Sequence, residues 1–210
     1  MHKNLSRIVV GIEYDGTAYK GFQKQKSTSK TIQSHVEEVL SKVADHKIKS
    51  TCSGRTDTGV HAYRQVIHFD TSENRHANSW ILGGNSLLPK DIRFLWAKKV
   101  SGDFHARFSA ISRSYRYVIR NSNFPSALER NKSLWIKEPL DLFSMRRACR
   151  YLKGENDFTS FRSTSCQSRT PFRNIHRLKI SKKKGYYNID ITANAFLLNM
   201  MRIIVGTLLE

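Results

Sequence analysis

The chain has 210 residues, enough for one large domain or two small ones around a real core. Lys and Arg number 36 against 17 Asp and Glu, a formal net charge of +19, which suits an extended polyanion because each phosphate contact releases condensed counterions. The three cysteines, Cys52, Cys149 and Cys166, are widely spaced and form no CxxC pair, which argues against a disulfide framework or a metal site.

Residues 1–14 hold no long apolar leader and no lipidation motif. The longest apolar run, 195–209, falls short of the roughly 20 residues a membrane span needs, and Asn199 and Arg202 interrupt it. A cytoplasmic protein with no membrane association is expected.

The elements follow in chain order. Residues 6–14 are rich in β-branched side chains and end at Asp15-Gly16, a turn signal, so they predict a strand. Residues 31–44 set Ile32, Val36, Val39, Leu40 and Val43 at helical spacing. A short strand at 48–52 leads into the loop Ser53-Gly54-Arg55-Thr56-Asp57-Thr58-Gly59, and 65–69 forms the next strand. A helix at 77–88 stops at Pro89, and 92–98 returns as a strand. In the second half, 113–120 alternates as a strand and Asp141 caps a helix running to Leu152. Residues 175–180 and 187–192 form a hairpin around a basic turn, and an apolar helix from Ala195 closes the chain. The reading is an α+β protein of two halves, 1–105 carrying the Asp57 loop and 106–210, with a cleft between them.

Acidic residues are absent from three windows, 16–36, 104–128 and 158–189. There Lys20, Lys24, Arg107, Arg113, Arg162 and Arg169 accompany aromatic residues such as Tyr19, Phe22, Phe108 and Tyr115. Cations for phosphates mixed with rings for unpaired bases suit RNA; a solvated strand face is the plainer reading of any one lysine. Asp57 is the only acid between Asp45 and Asp70, in a loop whose glycines allow a sharp turn and close approach of a substrate. A carboxylate among phosphate-binding cations repels RNA unless it has a task there; an Asx turn, in which the side chain bonds its own backbone, is the alternative. Arg202 interrupts a nearly all-apolar helix. Either it is buried against a carboxylate, Asp57 being the natural partner, or it reaches solvent along its aliphatic stem.

These residues carry a resemblance. SGRTDTGVHA at 53–62 resembles the catalytic signature of the TruA family of tRNA pseudouridine synthases, and YDGTAYKGFQKQ at 14–25 resembles its N-terminal motif. FHARFSAISRSYRYVI at 104–119, GENDFTSFR at 154–162 and NAFLLNMMRIIVG at 194–206 are similar to its later motifs, in order along the whole chain. The resemblance implies two ferredoxin-like (RRM-like) halves whose mixed or antiparallel sheets join side by side, with the helices on one face. It implies a cofactor-free, metal-free isomerisation of uridine to pseudouridine in the anticodon stem-loop of tRNA by a homodimer. Asp57 becomes the catalytic nucleophile, Arg55 and Arg202 its arginines, and Tyr115 the ring that contacts the target uracil. Phe22 stands where the family has Trp, and Leu198-Asn199 replaces a pair that is polar or His-containing there. Family members continue beyond the position of Glu210, so a second half shortened at its carboxyl end is expected. A tRNA-binding or tRNA-folding protein with impaired catalysis is the alternative function.

Overall fold

A computed structural model describes residues 5–210, so the first four positions of the segment read above for a leader lie outside the described residues. The chain divides into two compact units, 1–110 and 111–210, described separately below.

The first unit runs β1 (Ser6–Tyr14), α1 (Ile32–Ala44), β2 (Thr51–Cys52), β3 (Ala62–Thr71), α2 (Ala77–Leu87) and β4 (Ile92–Val100). The strands form one antiparallel sheet in the order β2-β3-β1-β4. Ile8, Val10, Ile12 and Tyr14 recur every second residue along β1 and are buried on one face, as the period of a strand requires. Ile32, Val36, Val39 and Leu40 of α1 and Trp80 of α2 pack into the same core, with Ile67 and Phe69 of β3. Each fully buried side chain of this size contributes about 1.5–3 kcal/mol by leaving water. The α1 start is set by Thr31, whose hydroxyl accepts from the Ser34 amide at 3.3 Å, and its end by Asp45 in the left-handed region.

The second unit runs β5 (Arg113–Asn121), β6 (Leu134–Ile136), α3 (Leu142–Ala148), β7 (Gly154–Asp157), a single 3-10 turn (Thr159–Phe161), β8 (Phe172–Lys183), β9 (Tyr186–Ala193) and α4 (Met200–Leu209). Its sheet has the order β6-β5-β9-β8-β7, mixed because β5 and β6 are parallel. The β8–β9 connection is a two-residue turn with Lys184 at φ 49° and Gly185 at φ 79°, the primed geometry that matches strand twist. Ile119, Ile189, Ile191, Leu178 and Ile180 of the sheet pack against Met145 of α3 and Ile204, Val205 and Leu208 of α4.

Several elements differ from the sequence reading. The strand expected at 48–52 pairs only at Thr51–Cys52, and that at 65–69 extends over Ala62–Thr71. Asp141 does cap α3, accepting from the Phe143 and Ser144 amides, yet the helix ends at Ala148 rather than Leu152. The closing helix starts at Met200, not Ala195, because Asn199 adopts φ 61° and breaks the helical path. Strands β6 and β7 had not been read, their three and four residues being too short for alternation to register. Among the described residues no helix is long and apolar enough to cross a membrane.

Candidate active site

In the first unit the Asp57 loop is fixed by backbone contacts with the turn that follows β1. The Phe22 amide donates to the Thr56 carbonyl at 2.9 Å, and the Tyr14 and Thr56 hydroxyls are 2.7 Å apart. The Gly16 amide donates to His61 Nδ1 at 3.1 Å, which also lies 3.0 Å from the Asp15 carboxylate. The approach is close enough to demand glycine. A Cβ on Gly16 would sit 2.1 Å from the Val60 carbonyl oxygen, and one on Gly21, at φ 85°, 2.8 Å from that of Thr56. The two N-terminal motifs, 14–25 and 53–62, are thus halves of one packed structure. Below them the side chain of the buried Gln65 on β3 donates to the Gly54 carbonyl and accepts from the Ser53 hydroxyl at 2.6 Å, tying the loop to the sheet.

Asp57 itself opens a tight turn: its carbonyl accepts from the Val60 amide at 3.2 Å, with Gly59 at φ 78°. The side chain is exposed, and among the described residues of its unit it takes no hydrogen bond or ion pair, so the Asx-turn alternative is not realised. Arg55 is also exposed. Burial pushes the Cys52 thiol up, against the pull of the Arg55 and Arg107 charges, so both guanidinium groups act on the residue just before the loop. Lys20 is exposed on the turn before α1, while Lys24 lies 3.7 Å from Glu37 and lines a shallow basin of about 580 Å³ with Lys26, Thr28 and Lys47. That basin is lined by none of the other candidate residues.

In the second unit, Tyr115 is half-buried on β5 with its ring edge-on to Phe196, centroids 4.8 Å apart at 85°. Arg113, two residues earlier on the same face, donates to the Asn194 carbonyl at 2.9 Å. The segment before α4 is held by the 163–168 loop: the Ser163 amide donates to the Leu198 carbonyl at 3.1 Å, Asn199 Nδ2 to the Ser163 hydroxyl at 2.6 Å, and the Leu198 amide to Cys166 Sγ at 3.5 Å. Burial acts upward on that thiol, but the Leu198 and Ser168 amides and the charges of Arg162 and Arg173 outweigh it and hold it below the usual range. Arg162 is half-buried and Arg169 exposed. Arg202 is exposed on α4, whose buried side chains are Met200, Ile204, Val205 and Leu208.

The structure therefore gathers Asp57, Arg55 and Arg107 in one unit, and Tyr115, Arg113 and the root of the Arg202 helix in the other. Sequence reasoning missed Gln65 and His61 as loop anchors. A polar Gln inside an apolar strand was the available signal. An exposed carboxylate on a loop locked by backbone contacts, in a strongly cationic chain, suits chemistry on RNA with the acid already in place.

The chain belongs to the tRNA pseudouridine synthase family, whose model matches residues 11–109 and 148–210. It is similar to tRNA pseudouridine synthase A of Alcanivorax borkumensis, at 48% identity over 98% of this chain and 77% of that protein. It is likewise similar to the proteins of the same name from Methylococcus capsulatus, at 49% over 97% of this chain and 74% of that protein, and Buchnera aphidicola, at 50% over 99% and 79%. Arg55, Asp57 and Arg107 lie in the first matched segment, Arg162, Arg169 and Arg202 in the second, and Arg113 and Tyr115 between them.

Proposed function

We propose that this chain isomerises uridine to pseudouridine in the anticodon stem-loop of tRNA, with Asp57 as the nucleophile. The observation that carries the reading is the exposed Asp57 carboxylate on a rigid loop of a chain with net charge +19. The reaction breaks the N1–C1′ glycosidic bond, turns the base and joins C5 to C1′. A proton leaves C5 and one is gained at N1, so no cofactor or outside reactant is needed. An ionised carboxylate splits this step in two, by attacking covalently or by stabilising the cation-like sugar. The uridine must leave its stack to reach such a group. Arg55 and Arg202 are assigned as the cations of this chemistry, and Tyr115 as the ring that meets the uracil and a candidate base for the C5 proton. Lys20, Lys24, Arg107, Arg113, Arg162 and Arg169 are assigned to the RNA backbone.

The finer architecture belongs to the same proposal. The first unit's βαββαβ succession and its strand order support a ferredoxin-like half. In the second unit β9 lies between β5 and β8, a related but altered arrangement. We assign the catalytic loop to a domain spanning 1–105, and a homodimer in the cytoplasm as the working form.

The test is tritium release from tRNA labelled at uridine C5, comparing the unsubstituted chain with Asp57→Asn. Release by the unsubstituted chain and its abolition in Asp57→Asn are expected. Equal release by both sinks the assignment of Asp57, and release by neither, with tRNA binding intact, favours the binding-only alternative.

A further inference from the structure

Phe108 is an apolar ring left 76% exposed, yet its position is not loose. It stacks on His105, centroids 4.3 Å apart at 27°, and the Arg107 guanidinium lies 5.6 Å from its centroid. The turn that carries it is knitted together: the His105 amide donates to the Ser109 hydroxyl at 2.9 Å, and the Ser109 amide to the His105 carbonyl at 2.7 Å. The Arg107 and Phe108 amides both donate to His105 Nδ1 at 3.2 Å, which fixes that nitrogen as an acceptor. The turn is in turn bolted to the sheet. Buried His68 on β3 packs edge-on against His105 and Phe104, its Nδ1 accepts from the Ala106 amide at 3.1 Å, and Arg7 donates to the Phe104 carbonyl at 2.8 Å. A ring held out this rigidly loses little conformational freedom when something stacks on it.

The surroundings select what stacks. No acid occurs from 104 to 128. Arg107 lies beside the ring, and its charge and that of Arg55 on the Asp57 loop both pull down on the Cys52 thiol. A nucleic acid offers both a flat base for the ring and a phosphate for the cations beside it, the combination by which single strands are held.

We propose that His105 and Phe108 form a stacking platform for an unpaired nucleobase of the substrate RNA, distinct from the uridine being isomerised, with Arg107 on the adjacent phosphate. The proposal rests on the reading of the chain as an RNA-modifying enzyme. It adds a second base-binding position, which selects RNA in which a base other than the target is free to unstack.

The experiment uses Phe108→Ala, Phe108→Leu and Phe108→Trp, with tRNA affinity by fluorescence anisotropy and tritium release for kcat and KM. Base–aromatic stacking of ordinary strength predicts about a tenfold rise in Kd and KM for Phe108→Ala with kcat nearly unchanged. Phe108→Leu should behave like Phe108→Ala, since it keeps apolarity but not the ring, and Phe108→Trp should bind at least as well as the unsubstituted chain. Anticodon stem-loops carrying one abasic nucleotide at a time should contain one position at which Phe108→Ala costs nothing further. Unchanged affinity in Phe108→Ala, or full binding by Phe108→Leu, overturns the platform. A change of molecular mass in Phe108→Ala with tRNA affinity intact also overturns it, in favour of a protein contact. Absence of tritium release by the unsubstituted chain strikes the proposed function, while the affinity series still decides the platform by itself.

Discussion

His68 shows how one side chain couples the sheet to the turn that carries Phe108. Burial holds its imidazole below the usual value of 6.5, helped by the Arg7 charge, and its Nδ1 accepts the Ala106 amide. A base whose folded value is depressed binds more protons when unfolded. Its stabilising effect is therefore complete above the unfolded value and is lost as the pH falls through the lower folded one. Chemical denaturation between about pH 7 and pH 5 should show stability declining with acidity, and less steeply in His68→Gln. Identical slopes for the two chains would remove His68 from this account. At the same scale, Asp57 was legible because an acid isolated in a cationic stretch is conspicuous from composition alone. Gly16 was legible only as a turn former beside Asp15, and Gly21 only as part of the 14–25 motif. That their missing Cβ atoms make room for the Val60 and Thr56 carbonyls depends on a loop some forty residues away.

Helix boundaries were legible where a side chain caps them and illegible where distant contacts decide. Thr31 is fully buried, and its hydroxyl satisfies the Ser34 amide at the start of α1. Thr31→Ala should cost about 1 kcal/mol of stability and Thr31→Ser less, read from the shift in the urea midpoint at constant slope. A Thr31→Ser loss as large as that of Thr31→Ala would assign the effect to the methyl group's packing instead. The α4 start follows other logic. Periodicity carries the apolar pattern back to Ala195, but Asn199 turns into the left-handed region and gives its side-chain amide to Ser163. Ser163 belongs to a loop 36 residues away, and no local pattern announces it.

For the molecule as a whole, a net charge of +19 makes affinity for tRNA a matter of counterion release. The association constant should fall steeply between about 50 and 200 mM salt, and Arg107→Ala should reduce the logarithmic slope by about one. A flat salt response would contradict the use of these cations on phosphates. The longer strands and the helices of both units, the basic windows and the isolated acid of the Asp57 loop were fixed by local pattern and composition, because alternation, caps and isolated charges are properties of short stretches. Tertiary structure decided what such stretches cannot encode. It interlocked the Tyr14–Phe22 turn with the Asp57 loop, exposed Arg202 by turning the other face of α4 inward, inserted β9 between β5 and β8, and raised Phe108 on His105. Each of these depends on close packing between segments far apart in sequence, where backbone shape and excluded volume choose among arrangements that the local pattern leaves equally good.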